Sequence, residues 1–71
     1  MGAIVEAPLS GKVLSIKVKQ EDSVKEGDVL LILEAMKLEI EIVTPTSGVV
    51  KEIKTSIGQE AEIGAPLIVI D

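Results

Sequence analysis

The chain has 71 residues, 46% hydrophobic and 27% charged, with no aromatic residue, no cysteine, no histidine and a formal net charge of −5. A chain this short has room for one domain and hides only ~60% of its unfolded surface from water, so its stability should be modest. The composition excludes disulfides, thiolate and imidazole metal sites and most acid–base relays, and basic residues interleaved with acids are a poor match for nucleic-acid phosphates.

The opening Met1-Gly2-Ala3-Ile4-Val5 has neither the basic start nor the apolar core of a signal peptide, and no apolar run approaches the ~18 residues of a membrane span. The expectation is a cytosolic chain without direct membrane insertion. Its apolar content is mostly Ile and Val, which favours strands, because β-branched side chains lose less freedom on a pleated surface than in a helix. The first elements read as a turn from Pro8 to Gly11, a strand from Lys12 to Lys19, a turn-rich stretch from Gln20 to Asp28, and a strand from Val29 to Glu34. Proline and glycine sit at the boundaries, where a fixed or a positive φ is wanted.

From Val29 to Val43 two readings compete. Val29, Ile32, Leu33, Met36, Ile40 and Val43 share one helical face. Against a helix, Leu38, Ile40 and Ile42 alternate with Glu39 and Glu41 at strand period, and Leu30 to Glu34 resembles the β-branched ending Leu67 to Asp71. We read strands on both sides. A single strand of that length would be about three times the common one, so the chain must reverse, and Ala35-Met36-Lys37-Leu38 is the plausible corner. Met36 and Lys37 then form a two-residue hairpin tip, where Asn-Gly or Asp-Gly would be usual. A turn built from residues unsuited to it is a place to look for function.

Beyond the corner, the pattern repeats: a turn from Pro45 to Gly48, a strand from Val49 to Thr55, a turn-rich stretch from Ser56 to Ala65, and a strand from Pro66 to Ile70. Residues 7–34 align without gaps on residues 44–71 at an offset of 37, bringing Pro8, Ser10, Gly11, Val13, Ile16, Lys17, Gly27 and Leu30 onto Pro45, Ser47, Gly48, Val50, Ile53, Lys54, Gly64 and Leu67. Two such copies favour a closed pair, an antiparallel sandwich or flattened barrel with a pseudo-twofold axis, over a solenoid, which needs about three or more repeats. The whole of 1–71 is read as a single domain.

At this point the sequence resembles the biotinyl/lipoyl carrier family, in particular the biotin carboxyl carrier domains of biotin-dependent carboxylases, decarboxylases and transcarboxylases. The likeness spans nearly the whole chain: Ala7-Pro8-Leu9-Ser10-Gly11, the Glu26-Gly27-Asp28 turn, Ala35-Met36-Lys37-Leu38, then Thr44-Pro45 and Gly48. It implies an all-β flattened barrel of two four-stranded antiparallel sheets, with the termini opposite the attachment hairpin. It also implies that Lys37 carries covalent biotin, that Ala35, Met36 and Leu38 complete the attachment motif, and that Met36 and Leu38 distinguish the chain from lipoyl carriers, which typically present Asp-Lys-Ala. Leu38 stands where methionine is more usual, and Glu21 where many members have a turn glycine, a role Gly58 nearly matches. The stretch from Lys19 to Asp28 leaves no room for a protruding thumb.

The resemblance further implies its partners. A biotin protein ligase would spend ATP on a biotinyl-adenylate that the Lys37 amine attacks. A lysine amine in water is protonated near neutrality, so the ligase must deprotonate it. The arm would then serve a biotin carboxylase and a carboxyltransferase or decarboxylase subunit, the cofactor doing the chemistry and the domain supplying position. Glu34, Glu39 and Glu41 read as a solvated strand face, with Glu34 and Glu39 as candidate contacts to ligase or carboxylase. Two other classes stay open: an unmodified interaction module of lipoyl-like fold, and a stand-alone enzyme, for which only paired carboxylates remain and no spacing supports a site.

Overall fold

A computed structural model describes residues 2–71 as eight strands: β1 (Ala3–Glu6), β2 (Gly11–Ile16), β3 (Ser23–Val24), β4 (Val29–Ala35), β5 (Leu38–Val43), β6 (Gly48–Ile53), β7 (Glu60–Ala61) and β8 (Pro66–Ile70). No helix forms among the described residues. The strands build two four-stranded sheets, in the orders β1-β8-β6-β3 and β5-β4-β2-β7, and every pairing is antiparallel. Alternation of inward and outward side chains puts Val13, Leu31, Leu33, Val50, Ile68 and Ile70 in the layer between them, all fully buried.

The repeat appears in three dimensions. Adding 37 to the residue numbers carries β2 onto β6, β3 onto β7, β4 onto β8 and β1 onto the end of β5, which turns one sheet order into the other. Individual hydrogen bonds follow suit. The Lys17 amide donates to the Leu30 carbonyl at 2.8 Å and the Lys54 amide to the Leu67 carbonyl at 2.8 Å. The Ser47 hydroxyl accepts from the Glu26 amide, and the Ser10 hydroxyl from the Ile63 amide, both at 3.1 Å.

Both long expected strands end early, at Ile16 rather than Lys19 and at Ile53 rather than Thr55. After Ile16 the chain leaves its sheet: the Asp22 carboxylate accepts the Lys19 amide at 2.8 Å, Glu21 takes φ 78°, and β3 is laid on the opposite sheet against Gly48 and Val49. The turn-rich stretches therefore each contain a two-residue strand, too short to show a period. β1, which the residue pattern alone did not mark, closes the other edge against β8.

The same crossing fixes the polarity of the molecule. β2 begins beside the end of β4, with Lys12 opposite Glu34, and leaves at Ile16 opposite Leu31. The chain then reaches Val49 and Val50, and Val49 exchanges hydrogen bonds with Asp71 at 3.0 and 2.8 Å. The β4–β5 corner and Asp71 thus lie at opposite ends of a body 32 Å long and 17 Å across.

Candidate functional site: the β4–β5 hairpin tip

β4 and β5 pair up to the corner, Leu33 opposite Ile40, Glu34 opposite Glu39 and Ala35 opposite Leu38, which leaves Met36 and Lys37 as the loop. Both adopt positive φ, 54° and 67°, the demand of a type I′ two-residue turn. Neither is glycine or asparagine, so each holds a left-handed backbone at a cost of about 1–2 kcal/mol. The pairing of the flanking strands imposes the turn against local preference.

Around the tip, exposure sorts the motif. Met36 is 87% exposed and Leu38 65%, while Ala35 is 6% exposed. Met36 is therefore presented rather than packed. Leu38 lies on the inward side of β5 with Ile40 and Ile42, but at the open end of the sandwich, so its side chain stays in solvent. Ala35, expected only as part of the attachment motif, lies against the first residue of β2 and supports the tip from below. Lys37 is exposed, and the one ion pair among the described residues joins Lys54 to Glu52 at 3.5 Å, leaving the Lys37 amine untethered.

Glu34 and Glu39 are exposed and directly opposite each other, and the register continues the row across the sheet to Lys12 and Glu60. Paired residues share a face, so Glu39, Glu34, Lys12 and Glu60 form one cross-strand line on the outer surface next to the tip. Lys12 and Glu60 were not singled out from the sequence. Only strand register brings them there, and β7 is too short to reveal it. Between the hairpin and Ser10, Gly11, Lys12 and Glu60 lies an open depression of about 360 Å³. Among the described residues no cluster of three or more Asp or Glu could hold a metal ion, and no helix is long and apolar enough to cross a membrane.

The family described as "Biotin-requiring enzyme" matches residues 1–70. The chain is 52% identical over 48 residues to methylmalonyl-CoA decarboxylase subunit gamma of Veillonella parvula, a match covering 68% of this chain and 37% of that protein. It is 34% identical over 70 residues to the biotinylated protein TB7.3 homolog of Mycobacterium leprae, covering 99% of both. Among solved structures, the Kluyveromyces lactis urea carboxylase superposes with a TM-score of 0.94 at 28% identity, over 100% of this chain and 6% of that one. The chain thus spans little more than a third of the first of these relatives and a small part of the carboxylase.

Proposed function

The chain belongs to the biotin-requiring enzyme family, and from that footing we propose that it is a biotin carboxyl carrier whose Lys37 is the attachment residue. The observation that carries the assignment is the tip itself: of seven lysines, Lys37 alone stands on a two-residue turn, with positive φ on both turn residues and an untethered amine. These residues fit the group. An amide to biotin needs an accessible amine and a clear approach, and the exposed Met36 and Leu38 border Lys37 with apolar surface, with no carboxylate paired to its amine among the described residues.

The chain's own residues have modest tasks. The Lys37 amine must lose a proton before it is nucleophilic, and no neighbouring base is bonded to it, so the ligase must take that proton. The amide then forms with net loss of one water, driven by ATP cleavage. Paired strands β4 and β5 hold the arm's root away from the body. Glu34 and Glu39 face each other as like charges, which does not favour the strand pair, and we assign them to contact with ligase or carboxylase. Once attached, biotin supplies a ureido nitrogen that accepts and releases a carboxyl group. The domain has no catalytic site of its own and works in the cytosol between a biotin carboxylase and a carboxyltransferase or decarboxylase subunit.

The test presents the biotinylated chain to a biotin carboxylase with ATP and labelled bicarbonate. Label should accumulate on the chain and be absent from Lys37→Arg. A biotinylated chain that accepts no label would refute the carrier role.

A further inference from the structure

We infer that Gly11 is a positioning residue for Lys37: its missing side chain lets the end of β4 settle close enough to β2 to place the hairpin tip. This rests on the attachment reading above. A methyl group at Gly11 would sit 2.6 Å from the Glu34 carbonyl oxygen and 3.3 Å from the Ala35 Cβ. Both belong to the last residues before the turn, and Ala35 is paired with Leu38, the first residue after it. Gly11 has no positive φ, so glycine is required here for room and not for backbone conformation.

Restoring ordinary contact distance would push the Glu34–Ala35 backbone outward by roughly half an ångström to one ångström. The tip has no local preference for its own shape, since Met36 and Lys37 are held at φ 54° and 67° by the strands beneath, so it moves with them. A displacement of about 1 Å can cost a positioned reaction as much as ~100-fold in rate.

The repeat provides the control. Gly48 is the counterpart of Gly11, and a methyl there would sit 2.5 Å from the Asp71 carbonyl oxygen, at the other end of the molecule. Gly11→Ala and Gly48→Ala therefore crowd equivalent strands, and only the first touches the strand that leads to Lys37.

The experiment measures kcat and KM for biotin protein ligase, biotin and ATP on the wild-type, Gly11→Ala and Gly48→Ala chains, at a temperature where thermal unfolding shows all three folded. Acylation of Lys37 by a small N-hydroxysuccinimide ester, read by peptide mapping, reports whether the amine remains accessible. Gly11→Ala should lower kcat/KM by about tenfold or more, mainly through kcat, with ester acylation unchanged, while Gly48→Ala stays within about twofold of wild type. If Gly11→Ala does not fold, Ala35→Val crowds the same contact from the other side and should give the same loss. Equal rates for Gly11→Ala (or Ala35→Val) and Gly48→Ala would overturn the positioning role. No labelling of the wild type would instead defeat the attachment reading.

Discussion

Among single residues, the positive-φ positions give the sharpest view of what the sequence does and does not optimise. Gly58 and Glu21 are counterparts in the repeat and share a left-handed backbone, φ 90° and 78°. Each lies in a turn that starts a crossing between the sheets, so the turn shape is structural and Glu21 is the poorer choice for it. Glu21→Gly should raise unfolding stability by about 0.5–1 kcal/mol in urea titration, the relief of strain exceeding the lost backbone entropy. A lower midpoint would show that Glu21 makes a compensating contact. The departure from a turn glycine was visible at the sequence level only through the family resemblance, with Gly58 nearly matching the role in the second copy. That Ala35 is buried while its neighbours Met36 and Leu38 are exposed was not visible, because it depends on how closely β2 approaches.

Among the elements, the β4–β5 hairpin is where local preference and fold disagree. Alternation from Leu38 to Ile42 and the length of the apolar run placed the corner correctly. The two-residue strands β3 and β7 stayed hidden within turn-rich sequence, and β1 likewise, since none is long enough to display alternation. Replacing the tip by residues suited to it, Met36→Asn with Lys37→Gly, should stabilise the chain by about 1 kcal/mol or more and abolish biotin attachment. Thermal unfolding and ligase assay on the same sample measure both. A double variant of unchanged or lower stability would mean that the observed turn is not strained.

For the whole molecule, the two copies are interlocked rather than merely stacked. The first copy's β3 lies in the sheet of β6 and β8, and the second copy's β7 lies in the sheet of β2 and β4. Neither copy can complete its sheet alone. Residues 1–43 expressed separately should therefore be unfolded by circular dichroism and amide dispersion, and the full chain should unfold in one transition seen identically by different probes. A folded half would contradict the interlocking. The same construction gives the hairpin end a firm footing: both sheets must be intact for β4 and β5 to hold a turn that its own residues disfavour. Of seven lysines, Lys37 is the one that this arrangement sets apart, and intact mass tests that most directly. Incubated with biotin protein ligase, biotin and ATP, the chain should gain the mass of one biotin less one water, once per molecule, and Lys37→Arg should gain nothing. No gain by the wild type, or an undiminished gain by Lys37→Arg, would contradict the account.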